Sequence, residues 1–303
     1  MNGILDLLTD YTFMMIALGS GLLGLLSGIM GVYVTVKKQG LICDAISHST
    51  LPGVCIAFMV LGIKNLEFLL LGAFIAGVIA ALMIFGIDLK SKVKFDSALA
   101  IVLSTFFGLG IVLLALIQRK ANTNQAGLDK FIFGQAAAFL KKDIYFLIGI
   151  IILVLFVILL FWKELKLFSF DPEFAQTKGF SINLMTGILI VLLVISIVMG
   201  IQSVGVILMS TMLIAPPVAA RQWTDKFNVM MILSGIFGAF SGITGSFISM
   251  YYKGLSTGPV ITIVASLIVF LSILFSCIGF IFSYLFIISI ALGHLKLTPI
   301  YER

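Results

Sequence analysis

Charged side chains are scarce in this chain: Asp, Glu, Lys and Arg make up 11% of its 303 residues, and 61% are hydrophobic. Soluble domains carry about 25% charged residues, and with a mean hydropathy of +1.24 so much apolar surface has no home in a water-soluble core. The chain reads as a polytopic membrane protein. Only three cysteines are present, Cys43, Cys55 and Cys277, all within apolar stretches, and an odd number so placed excludes a disulfide framework. With two histidines, His48 and His294, and no HExxH, a zinc-protease site is excluded. A GxxxxGK[ST] stretch is absent too, so the chain has no phosphate-cradling loop of its own. Gly254-Leu-Ser-Thr-Gly258 matches GxSxG, but it joins two apolar runs instead of a strand and a helix and lacks a partner histidine, so it is read as chance. Nothing here supports an enzyme, and the net charge of +6 is spread over short connections, so it carries topology and not a nucleic-acid footprint.

What is present is a series of uncharged runs, each about long enough to cross a bilayer: residues 11–36, 41–63, 68–87, 97–118, 144–162 and 227–252. The stretch 179–220 is too long for one crossing, and Gly200-Ile-Gln-Ser-Val-Gly205 is the expected break. The last run, 254–293, is read as a single long crossing, with a helical hairpin as the alternative. These runs are too long and unalternating for barrel strands, so the fold class is an all-α polytopic bundle of eight to nine transmembrane helices, nine on this reading, forming one domain over 1–303. The first run follows two aspartates and no basic segment, so it is expected to be retained and not cleaved. With the N-terminus outside, twelve of the nineteen Lys and Arg lie on the inner side. Five of the seven outer ones come from one connection, 119–142, whose middle, 131–139, is expected at the interface. Small pairs four residues apart, Gly24/Gly28, Ala73/Gly77 and Gly238/Gly242, are read as packing seams.

The whole chain is organised around Gly31 to Gly53, GVYVTVKKQGLICDAISHSTLPG. It places Asp44 and His48 inside an apolar span, where an aspartate costs roughly 2.5–3.5 kcal/mol and marks an ion or substrate pathway. At i and i+4 the two share a helix face and could touch one ion: carboxylate oxygen suits Mn²⁺, imidazole suits Zn²⁺, Fe²⁺ or Mn²⁺. The competing reading is a hydrogen-bonded pair that fixes helix register. Two ligands are too few for tight binding, which suits a conduit that must release its ion. Cys43 and Cys55 are read as packing residues.

Two further stretches face the cytoplasm. Gly205 to Phe227, GVILMSTMLIAPPVAARQWTDKF, is expected to kink or stop at Pro216-Pro217 and then to continue as an amphipathic segment suited to lying against another protein. In Phe170-Asp-Pro-Glu-Phe-Ala-Gln-Thr-Lys-Gly179, Asp171 as cap, Pro172 at the first position and Gly179 as terminator describe a two-turn helix.

Leu-Ile-Cys-Asp-Ala-Ile-Ser-His-Ser-Thr-Leu-Pro-Gly resembles the Gly-Asp-Ala-Leu-Ser-His-Ala-Val-Leu-Pro-Gly-Val pattern of the permease subunits of bacterial metal-ion ABC importers, the manganese, zinc and iron uptake systems. Phe-Asp-Pro-Glu-Phe-Ala, Val-Gly-Val-Ile-Leu with Pro-Pro-Val-Ala-Ala-Arg, and Leu-Ser-Thr-Gly-Pro are similar to that family as well, in the same order. The resemblance implies an ABC importer permease in the bacterial cytoplasmic membrane. It implies a second permease, expected to be an identical copy, with cytoplasmic ATP-binding subunits that hold the ATP and an extracytoplasmic metal-binding protein. It implies that Asp44 and His48 match the family's metal-contacting pair, that the divalent ion, Mn²⁺ favoured over Zn²⁺ or Fe²⁺, is cargo and no cofactor is tightly bound, and that a coupling helix touches the ATPase. That helix is expected at Arg221, Gln222, Trp223, Thr224, Asp225, Lys226 and Phe227, with 171–178 as competitor. Cys43 stands where the family commonly has Gly. The alternative function is a proton-coupled carrier that works without ATPase subunits.

Overall fold

The computed structural model describes residues 10–62, 66–119, 141–252 and 255–295, with side chains throughout except at 66, 202–204, 206–208 and 277–295. The expected interfacial stretch 131–139 and the basic residues Lys64, Lys120, Lys130, Lys253, Lys296 and Arg303 lie outside the described residues, as do the side chains of Cys277 and His294.

Every described element is helical: α1 (Tyr11–Val36), α2 (Leu41–Ser49), α3 (Leu51–Leu61), α4 (Leu66–Lys90), α5 (Phe95–Arg119), α6 (Lys141–Leu160), α7 (Trp162–Phe170), α8 (Pro172–Thr177), α9 (Ile182–Val204), α10 (Val206–Arg221), α11 (Phe227–Tyr251) and α12 (Thr257–Leu295). Eight helical segments among the described residues are long and apolar enough to cross a membrane, with α2 and α3 counted together as one span, 41–61. Of the nine expected crossings, the one outside these eight is the seventh in chain order, α10, which at 16 residues is about 24 Å long, short of a core of roughly 30 Å. Its upper end is the turn at Gly205, where the expected break occurs: Gly205 has φ 89°, a conformation that favours glycine. Gly205 is itself buried, and irregular backbone at membrane depth is tolerated where protein covers it.

Of the kink or stop expected at Pro216-Pro217, the stop does not occur; α10 runs through both to Arg221. Proline leaves the carbonyl four residues earlier without its helical donor, here those of Met212 and Leu213. The Leu213 carbonyl lies against Gly31 of α1, where any side chain would collide with it. The final run is one helix of 39 residues, α12, and not a hairpin.

The centre of the bundle is the antiparallel pair α1 and α11. Gly24 meets the backbone of Gly238, Gly28 that of Ser234, and Gly242 that of Ser20, which is the small-residue seam expected from sequence. Hydroxyls fasten the same line: Ser234 donates to the Gly28 carbonyl at 2.6 Å, and Ser20 to that of Gly242 at 3.0 Å. Helices α6, α9, α10 and α12 pack around this pair, and α2 packs in turn on α5, α9 and α10. The span Leu41–Leu61 is interrupted at Thr50, two residues before Pro52, which cannot donate to the helix.

Candidate metal site and cytoplasmic surface

Asp44 and His48 lie on one face of α2, with His48 Nε2 3.5 Å from Asp44 Oδ1. Seven residues beyond Leu41, where the span begins, His48 is about 10 Å from that end. The two side chains differ in exposure: that of His48 is 17% accessible, whereas that of Asp44 is 40% accessible and opens onto the surface of the chain. The His48 ring meets the edge of Phe107 on α5, centroids 4.9 Å apart, and this contact fixes its orientation. Its Nδ1 is buried with no hydrogen-bond partner. A third polar group, the Ser210 hydroxyl of α10, lies near the Asp44 carboxylate.

This arrangement can hold a divalent ion through one carboxylate and Nε2, and can hold it only loosely. Among the described residues no third His, Cys, Asp or Glu joins the pair. Histidines that bind metal firmly donate their other ring N–H to an acceptor, and loss of such a partner typically costs 10–100-fold in affinity; Nδ1 of His48 has none. Cys43 is fully buried in the core, and the Cys55 Sγ is turned to the Gly110 carbonyl at 3.8 Å, so neither thiol adds a ligand. Ser210 and Phe107 escaped the sequence reading. Ser210 had a faint signal, being with Thr211 one of two hydroxyls in an apolar run; Phe107 had none among the chain's 27 phenylalanines.

At the C-terminal end of α10 the seven residues expected to form a coupling helix do not form one. Arg221 is the last residue of α10, Gln222 caps it by donating to the Ala219 carbonyl at 3.1 Å, and Phe227 begins α11. Between them the chain turns, because the Lys226 N–H goes to the Thr224 hydroxyl at 3.1 Å and Lys226 is extended, so a side chain takes the place of a helical acceptor. Arg221 pairs with Asp225 at 3.5 Å on an open surface. Trp223 is 58% exposed, with its ring 6.5 Å from that of Phe275. Phe227 points inward and is held edge-on by Tyr33, Trp162 and Phe170. The independent helix is the competitor, α8: the Asp171 carboxylate accepts from the Phe174 N–H at 2.9 Å, Gly179 ends it at φ 87°, and Phe170 and Phe174 are exposed beside it.

Lys37 caps α1 at this end. Its Nζ lies 3.5 Å from the centre of the Phe168 ring, and burial pushes its amine down to about 8.

Comparison with known proteins places residues 10–276 within the ABC 3 transport family. The chain is 44% identical over 274 residues to the zinc transport system membrane protein TroC of Treponema pallidum, covering 90% of this chain and 92% of that one. It is 36% identical over 273 residues to the manganese transport system membrane protein MntC of Listeria monocytogenes, covering 90% and 94%. Among solved structures, PsaBC from Streptococcus pneumoniae in complex with Fab matches with a TM-score of 0.78 at 31% identity, over 89% of this chain and 94% of that one.

Proposed function

The chain belongs to the ABC 3 transport family and is a metal ABC transporter permease of the cytoplasmic membrane; from that premise we propose that it carries a divalent transition metal inward, Mn²⁺ ahead of Zn²⁺ or Fe²⁺, powered by ATP on partner subunits. The observation that carries this reading is the Asp44–His48 pair: two ligands of divalent-metal type, 3.5 Å apart inside a membrane span, with the carboxylate open on the surface of the chain. Two ligands from one chain leave most of an ion's coordination unfilled. A second copy related by a two-fold axis presents the same patch and brings a second Asp44 and His48, so a path between two copies offers an ion two carboxylates and two imidazoles. Loose binding favours passage, since each site must fill and empty.

On this reading a metal-binding protein delivers the ion at the outer face, and the pair accepts it from that side. ATP binding on the cytoplasmic subunits then alternates access of the path between the two sides. The Arg221–Phe227 turn, with α8 beside it, is the surface on which those subunits act; exposed Trp223 and Phe174 offer aromatic anchors of the kind that dominate protein contacts.

The test is uptake of Mn²⁺, Zn²⁺ and Fe²⁺ by cells carrying the intact transporter with Asp44→Asn or His48→Ala at matched protein levels. Uptake of the cargo metal is expected to fall at least tenfold while the permease still co-purifies with its ATPase. Wild-type uptake in both variants would make the pair structural. Transport by the purified chain alone, in liposomes with a pH gradient and no ATP, would replace this reading with a proton-coupled carrier.

A further inference from the structure

His48 lacks the usual fastening of a metal-binding histidine. Rotation of an imidazole about its Cβ–Cγ bond has only broad preferences of its own, and firm metal sites fix it by a hydrogen bond from the second ring nitrogen. Nδ1 of His48 is buried and has no such partner, so the orientation of the ring has to come from packing. Helix α5 supplies it. The Phe107 ring stands nearly at right angles to the imidazole, with centroids 4.9 Å apart and an interplanar angle of 80°. The backbone behind Phe107 is firmly seated, because α5 packs along both α2 and α3. One turn on from Phe107, Gly110 lies so close to Leu51 that a side chain there would collide with it, and the Gly110 carbonyl accepts from the Cys55 Sγ at 3.8 Å.

We infer that Phe107 is a positioning residue for the transported ion: it stands in for the missing acceptor and keeps His48 Nε2 turned to Asp44. The inference rests on the reading of Asp44 and His48 as the metal pair. Nε2 is 3.5 Å from Asp44 Oδ1, a long contact for a hydrogen bond, so Asp44 alone does not hold the ring. A half-turn of the imidazole would put Cε1 where Nε2 stands, and the ion would be left with the carboxylate. Two rings packed edge to face have a preferred geometry, which orients Nε2. An acceptor on Nδ1 would orient it too, but would also raise its basicity and tighten its hold on a metal. Phe107 therefore separates orientation from strength: the ligand is ready for each ion and lets each one go.

The experiment uses the complete transporter, permease with ATPase and metal-binding protein, in proteoliposomes, with Mn²⁺ as probe; Mn²⁺ moved and ATP hydrolysed are counted together. Phe107→Ala removes the ring, Phe107→Leu keeps apolar bulk without a flat face, and Phe107→Tyr keeps the ring. Ala and Leu are expected to lower the ions moved per ATP by about tenfold, a common loss when a group that orients a metal-binding histidine is removed, while ATP turnover persists; Tyr is expected to keep most of the ratio. Phe106→Ala, the same truncation one residue away, beside the groove lined by Ile56 and Leu71, is the packing control and is expected to keep the ratio. A merely structural role would lower transport and hydrolysis together and leave the ratio of Phe107→Ala unchanged, and that result overturns the inference. So does a wild-type ratio in Phe107→Leu, or an equal loss in Phe106→Ala. His48→Ala separates the two ideas. If it lowers the ratio while the Phe107 variants keep it, only the positioning role fails; if His48→Ala keeps the ratio as well, the metal-pair reading fails and this inference with it.

Discussion

At the residue scale, the turn between α1 and α2 holds two lysines under opposite pressures. Lys38 has φ 57° at the position after the α1 cap, where Gln39 N–H reaches the Val34 carbonyl at 3.0 Å and Lys38 N–H that of Thr35 at 3.1 Å. This is the left-handed helix ending that glycine occupies most easily, so Lys38→Gly is expected to stabilise the protein by about 0.5–1 kcal/mol, read as a higher melting temperature in detergent; an unchanged or lower value refutes it. Lys37 is half-buried with its charge, and the Phe168 ring recovers part of the cost. Its folded pKa of about 8 lies below the ordinary 10.5, so between these values the unfolded chain holds more protons and stability rises with pH. Below about pH 8 the penalty is fully present. Lys37→Met should therefore stabilise the protein at pH 7 by on the order of 1 kcal/mol after allowing for partial exposure, read as a higher melting temperature, and the gain should shrink at pH 10. A gain independent of pH would mean that packing and not charge is responsible.

At the element scale, the α1–α11 seam shows what a glycine is worth when backbones touch. A side chain at Gly24 would enter the carbonyl of Gly238, whereas one at Gly149 on α6 meets nothing within 4 Å. Gly24→Leu is expected to reduce folded permease severalfold, while Gly149→Ala should be neutral or stabilising by up to about 1 kcal/mol; size-exclusion yield of the two variants checks both, and equal yields would dismiss the seam. The seam was legible because Gly24/Gly28 and Gly238/Gly242 recur at helical spacing, and the spans were legible because charges interrupt the apolar runs. Helix α10 was harder to read. Its two prolines signalled a kink or an end, yet the helix continues with the freed carbonyl of Leu213 resting against Gly31, a contact between residues about 180 apart that no local pattern encodes. The same reason hid Ser210. The turn at Arg221–Phe227 was misread as helical because its composition is amphipathic, and one hydroxyl, that of Thr224, decides otherwise.

At the scale of the whole molecule, the decisive feature is that the pair proposed to take the metal, Asp44 and His48, opens outward from its own chain. A carboxylate facing acyl chains would be expensive, so Asp44, 40% accessible, calls for a covered polar surface, and the self-complementary way to supply it is a second copy on a two-fold axis. Residues close to such an axis lie close to their own symmetry mates, and that can be measured without transport. In a chain with Cys43, Cys55 and Cys277 replaced by alanine, Asp44→Cys is expected to join two copies when membranes are treated with a short bifunctional thiol reagent, giving a product at twice the 32.8 kDa of the chain. Leu159→Cys, on α6 and 68% exposed, serves as the lipid-facing control and is expected to stay monomeric. Cross-linking at both positions would mean random collision. A monomer at Asp44→Cys, in protein that still assembles with its ATPase, would move the ion path away from the axis and require each chain to complete its own site.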